Sequence, residues 1–202
     1  MLALPAAASA RLQELGQLGA DARPSCPAAP CNALTRTTAI QAKVGDARGP
    51  LVAPRNGRLV AWTVRLGKLG PSQIKFFDEH YGGKAQAQIT VLRQGKSLRF
   101  RATGQSAPVE LEPYFGKTAQ FPLGRSLTVK KGYVIALTVP TWAPVLSLGL
   151  DKLTSWRASR PREGCADTVT ETAQIELGAL AQYYCLYRGG RITYSATLIS
   201  TP

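Results

Sequence analysis

The single histidine of the chain stands in the run Phe76-Phe77-Asp78-Glu79-His80-Tyr81-Gly82-Gly83. Two acids beside an imidazole could hold a metal or serve as general acid and base. On a strand, neighbouring side chains point to opposite faces, so Asp78, Glu79 and His80 converge only in a loop. The following Gly82-Gly83 suggests such a loop, with Phe76 or Phe77 tucked beneath an exposed polar tip. Glu110 and Glu112 are two apart, which places both on one strand face. Paired carboxylates are the device of glycoside hydrolysis, but they need a partner across a cleft. A solvated strand face is the commoner reason for such a pair. Asp78, His80, Glu110 and Glu112 are therefore the weak catalytic candidates. The sequence has no G-x-S-x-G elbow, P-loop, H-E-x-x-H or G-x-G-x-x-G after a strand. No cofactor is expected.

Aromatic residues offer a better prospect for binding. Trp142 lies in Pro140-Thr141-Trp142-Ala143-Pro144, read as a proline-flanked loop where burial is not forced. Trp156, Tyr183, Tyr184, Tyr187 and Tyr194 crowd the C-terminal third. Aromatic faces beside arginine or asparagine can hold sugar rings by apolar contact and hydrogen bonding. Trp142, Trp156 and Tyr187 are the expected ligand-binding residues, whereas the alternating pattern around Trp62 assigns it to the core. One face of the 183–187 run carries Tyr183, Cys185 and Tyr187, and burial of that set between sheets competes with a binding role.

Charge and cysteine content narrow the partners and the compartment. Twenty-five Lys and Arg against twelve Asp and Glu leave a net charge of +13. Such a surface attracts polyanions. Its cations are scattered, the closest groups being Lys96, Arg99 and Arg101, then Arg157, Arg160 and Arg162. Four cysteines fit an oxidising compartment, and local pairing as Cys26–Cys31 and Cys165–Cys185 is favoured among three possible connectivities. One knuckle-like pair, two distant cysteines and one histidine do not make a zinc site, so no metal is expected. Leu2 to Ala10 is apolar and ends in Ala8-Ser9-Ala10, the small-residue pattern of a signal-peptidase site. Residues 1–10 are accordingly expected to be the remnant of a secretory signal, with the mature chain starting near Arg11. No apolar run reaches the ~18 residues of a membrane-spanning helix.

These residues must be positioned by short strands. Residues 11–36 read as a lead-in, with a short helix over 12–18 from the spacing of Leu12, Leu15 and Leu18, then the Cys26/Cys31 loop. From residue 37 onward the pattern turns to β-rich runs separated by Gly, Pro, Asn and Ser. In 58–66, Val60, Trp62, Val64 and Leu66 alternate with Ala61, Thr63 and Arg65, a strand with one buried face. Further runs fall at 87–93, 98–102, 109–112, 127–129 and 133–139, the last ended by Pro140, with a shorter edge-like piece at 155–159. The runs 181–187 and 192–199, separated by Gly189-Gly190, read as a hairpin. Nine or ten strands without a helical period exclude a parallel α/β sheet. The expected fold is an all-β, two-sheet antiparallel β-sandwich, jelly-roll-like, in a single domain over 37–202.

The motifs W-T-V-R at 62–65, Q-I-T-V-L-R at 88–93, V-K-K-G-Y-V-I-A-L at 129–137 and Y-C-L-Y-R-G-G-R-I-T-Y-S-A-T-L at 184–198 resemble a pattern in uncharacterised secreted bacterial β-sandwich proteins. Tyr133 stands where that pattern usually has an acid. The resemblance implies export and a fold, and no activity. Leu180 to Cys185 also resembles an immunoglobulin tyrosine corner, but Cys165 is too close and every Trp precedes it. The expected protein is exported, at the cell surface or secreted, and binds an envelope polysaccharide or another anionic polymer without catalysis. A jelly-roll glycan hydrolase or lyase and a purely structural surface protein are the alternatives. Nucleic acid is not expected.

Overall fold

The computed structural model describes residues 10–20, 22–165 and 173–200. The expected signal remnant lies outside them except for Ala10. In chain order the first elements are β1 (Leu12–Leu15), β2 (Leu34–Val44), β3 (Ala47–Arg48) and β4 (Gly57–Arg65). The one α-helix among the described residues, α1 (Pro71–Tyr81), precedes β5 (Gln86–Gln94), β6 (Arg99–Gln105), β7 (Val109–Glu110) and β8 (Thr118–Val129). Then come β9 (Val134–Ala143), β10 (Leu146–Ser147), β11 (Ser155–Ala158) and β12 (Leu180–Gln182). The last are β13 (Leu186–Arg188), β14 (Arg191–Ile192) and β15 (Tyr194–Ser200).

The protein is mostly β, and its strand pairs are antiparallel. A large sheet runs β12-β6-β5-β9-β2-β11-β13, with β3 on β2 and β7 on β5, and curls into a half-barrel. A four-stranded sheet runs β1-β15-β4-β8, and β10 pairs β14. Alternation explains how they pack. Ile135, Leu137 and Val139 of β9 share a core cluster with Ile89 and Val91 of β5, Trp62 and Val64 of β4, and Tyr194 and Leu198 of β15. The intervening Val134 and Ala136 join a second cluster with Leu92, Phe100 and Tyr183. Both faces of β9 are thus buried over residues 134–137, which is why that stretch reads as an unbroken apolar run. Each large apolar side chain so buried contributes about 1.5–3 kcal/mol. Gly57 permits the β4–β15 approach, since a Cβ there would lie 2.3 Å from Ile199 O.

Four local expectations are corrected. Residues 12–15 form a strand, not a helix: β1 covers the edge of β15, with Leu12 opposite Ile199 and Leu15 opposite Ala196. Glu14 accepts hydrogen bonds there from Ser195 Oγ and, at 2.8 Å, from Thr197 Oγ1. The 181–187 and 192–199 runs do not pair with each other, because β13 joins β11 while β15 crosses to β4 and β1. The 155–159 piece is no edge, lying between β2 and β13. Finally, Pro140 does not end β9. The β5 pairing of β9 stops at Thr138, and the β2 register shifts between Thr35 and Thr37, opposite Pro140 and Thr141. A proline without an N–H is tolerated at such a bulge. Arg36, at the bulge, has φ 38°.

Candidate functional site

The run containing His80 is helical, not a loop. Gly70 precedes Pro71 at the first helical turn, Gln73 Oε1 accepts the Gly70 N–H at 3.0 Å, and Gly82 closes the helix at φ 92°. Proline at the start and glycine just past the end are the helix's own punctuation. Its apolar residues Ile74, Phe77 and Tyr81 pack toward the core. Successive helical residues are about 100° apart, so Asp78, Glu79 and His80 fan out instead of converging. His80 is exposed, stacks on Phe76 with ring centroids 4.4 Å apart, and its Nδ1 meets Phe76 O at 2.7 Å. Asp78 turns the other way, into Trp142.

Trp142 is not in a loop. It lies within β9, fully buried at 0% exposure, and stacks on Phe77 at 4.8 Å. Its Nε1 donates to Asp78 Oδ1 at 2.9 Å and to Gly83 O at 3.0 Å. This is how α1 is fastened to the large sheet, and it leaves the Trp142 side chain buried rather than open to solvent as expected.

The carboxylate candidates do meet, around a residue the sequence reading passed over. Lys84 Nζ bonds Glu110 Oε1 at 2.8 Å. Lys84 is raised above the usual lysine range, first by that hydrogen bond and then by the charges of Glu110, Glu112 and Asp78. Glu110 lies in the two-residue β7, while Glu112 begins a 3-10 turn, so they are not two positions of one strand face. The charges of three acids thus act on one exposed lysine, and only Glu110 bonds it directly. Among the described residues no group of three His, Cys, Asp or Glu could hold a metal ion.

Trp156 and Tyr187, by contrast, are brought together. They are cross-strand partners on β11 and β13, stacked with centroids 4.4 Å apart and 21° between planes. Trp156 is only 7% exposed, and half-buried Tyr187 covers it. Gly190 leaves room for the indole, since a Cβ there would stand 3.1 Å from Trp156 Nε1. The Cys165–Cys185 disulfide fixes the other side: Tyr187 Oη donates to Cys165 O at 3.2 Å and accepts from Arg160 Nη1 at 3.3 Å.

Two concavities meet at Tyr187. One, of about 260 Å³, is lined by Trp156, Tyr187, Leu148, Asn32, Arg160 and Arg188 among others. Asn32 is placed by Ser25, whose Oγ accepts the Asn32 N–H at 3.2 Å, beside the Cys26–Cys31 disulfide. The other, of about 420 Å³, is lined by Leu98, Arg157, Tyr184, Leu186, Tyr187 and the Cys165–Cys185 pair. Arg157 donates to the carbonyls of Tyr183 and Tyr184 at 3.0 and 2.8 Å. Burial, and then the neighbouring Arg188, lower its guanidinium from the usual arginine range. A cation so crowded gains from an incoming anion. Neither concavity is lined by Asp, Glu or His. The chain matches no protein-family model, and no curated protein or solved structure matches it.

Proposed function

We propose that the protein is an exported, non-catalytic binding protein for an envelope polysaccharide or another anionic surface polymer, engaged at the Trp156–Tyr187 cleft. The carrying observation is the stacked aromatic pair held by the Cys165–Cys185 staple between Arg160, Arg188 and Asn32. An aromatic body with a few convergent donors is the usual make-up of a small-ligand cleft, and the donors here suit hydroxyls and carboxylates. A hydrolytic reading gains nothing from the geometry, since Asp78, His80 and Glu110 each have a structural partner elsewhere. Two disulfides, and no helix among the described residues long and apolar enough to cross a membrane, accord with export. The core shared by the two sheets supports reading them as the halves of a jelly-roll-like β-sandwich.

The test is titration of the oxidised protein against purified cell-wall polysaccharide and a panel of neutral and acidic glycans, at low and at high salt. Binding that persists at high salt and falls at least tenfold in Tyr187→Ala and Arg188→Ala supports the cleft. Failure to bind any glycan or acidic polymer at either salt removes the reading.

A further inference from the structure

The cations Lys96, Arg99 and Arg101, closest together in the sequence, are joined in space by Arg93. Arg93 faces Arg101 across the β5–β6 ladder, and Arg99 and Arg101 are two apart on the exposed face of β6. Lys96 is in the connecting turn. All four line one concavity of about 300 Å³ with Gly95, Ser97 and Leu180. Like charges directly opposite in a ladder are unfavourable, and among the described residues none of these four is in an ion pair. The turn is itself strained, with Ser97 at φ 55° and Leu98 at φ 58°. Leucine is disfavoured in that left-handed region. Concentrated strain and unneutralised charge at one hairpin tip mark a ligand surface.

Aliphatic side chains identify the ligand. Leu180, 52% exposed, is the cross-strand neighbour of Arg101 on β12 and lines the same concavity. The segment leading into β12 runs along β6: Gly178 O accepts from Arg101 Nη1 at 2.7 Å, Gly178 N–H donates to Ala102 O at 2.9 Å, and Ala102 N–H donates to Ala179 O at 3.0 Å. That segment holds Ile175 and Leu177, 57% and 67% exposed. Glu176, the one acid among the described residues 173–179, neither lines the concavity nor pairs with the four cations. No aromatic residue lines the concavity. A sugar or single-stranded nucleic-acid surface would present aromatic faces for stacking. Cations bordered by exposed aliphatics instead match a bilayer interface, where phosphates lie just above hydrocarbon.

We propose that this face docks on anionic phospholipid, with the four cations at the lipid phosphates and Ile175, Leu177 and Leu180 entering the headgroup–acyl boundary. It is independent of the Trp156–Tyr187 cleft, so either site can fail without the other.

The experiment is co-sedimentation of the full chain with vesicles of phosphatidylcholine alone or containing phosphatidylglycerol, with soluble polyphosphate as competitor. Partitioning at least tenfold higher on the anionic vesicles is expected. Each cation near such a surface is worth about fivefold, so Arg93→Gln/Arg99→Gln should lower it about 30-fold. Leu177→Ser should lower it several-fold at unchanged charge, and urea unfolding midpoints matching the parent's would show both variants folded. No preference for anionic vesicles overturns the proposal. So does full sensitivity to polyphosphate with an unaffected Leu177→Ser, which would make the surface a general polyanion patch.

Discussion

Trp142 Nε1 donates to Asp78 Oδ1 across 2.9 Å, joining strand β9 to helix α1 through a buried indole and a half-buried carboxylate. The second acceptor is Gly83 O, so the indole N–H ties both the helix and the glycine turn that ends it. The pair therefore places the helix.

Asp78→Ala is accordingly expected to lower stability by about 1–3 kcal/mol, the cost of a lost hydrogen bond to a charged acceptor. Trp142→Ala, which also empties the space beneath Phe77, should cost about 3–5 kcal/mol. Urea unfolding measures both. Polymer binding per folded molecule should stay unchanged, and a selective loss of binding in Asp78→Ala would return that carboxylate to the site.

The sequence made the strands legible because alternation is a local signal: Trp62, Val64 and Leu66 define the buried face of β4 and its continuation, although a register shift between Leu59 and Ala61 puts Leu59 rather than Val60 in the core. The setting of Trp142 is hidden from the sequence for the opposite reason. A proline flank is a local turn signal, while the bulge that accommodates Pro140 depends on β2, about a hundred residues away in sequence. Helix α1 carried its signals openly in Gly70-Pro71 and Gly82-Gly83, with Ile74, Phe77 and Tyr81 spaced on one face. The polar Asp-Glu-His run masks them, because its charges interrupt the apolar spacing. Leu12, Leu15 and Leu18 kept a helical spacing, but pairing with an open strand edge is a tertiary contact that overrides so weak a preference. The Trp156–Tyr187 contact was half legible, since both residues were singled out for chemistry while their stacking depends on a β11–β13 pairing that no local pattern announces.

Stability should fall steeply in alkali. Tyr194 is fully buried and donates to Ile135 O at 2.9 Å, and burial raises its phenol above the usual range. Tyr183, which donates to Gln174 Oε1, is raised by burial too, and also by Tyr194. Unfolded tyrosine titrates near pH 10. A phenol whose folded pKa is higher keeps its stabilising effect below that pH and loses it as pH rises further, because the unfolded chain then holds fewer protons. Two such groups give a slope approaching ~2.7 kcal/mol per pH unit above about pH 10. Tyr194→Phe should roughly halve that slope in urea titrations between pH 8 and 11. An unchanged slope would mean that other groups govern alkaline unfolding.

The Cys165–Cys185 bridge should matter to both stability and binding. It closes a separation of 20 residues, for which chain entropy gives about 3 kcal/mol, against about 2 kcal/mol for the separation of 5 at Cys26–Cys31. Replacing Cys165 and Cys185 together by serine should therefore lower the urea midpoint more than replacing Cys26 and Cys31. The binding effect has a separate origin. Tyr187 Oη is anchored on Cys165 O, and Cys185 lies two residues before Tyr187, so the bridge holds the aromatic cover over Trp156. Without it the ring must be ordered by the ligand itself, and affinity should drop about tenfold, roughly the entropy of one side chain fixed on binding. Titration at a temperature where the variant is still folded separates the two effects. Lower stability with unchanged affinity would show that the β11–β13 ladder alone positions the Trp156–Tyr187 stack.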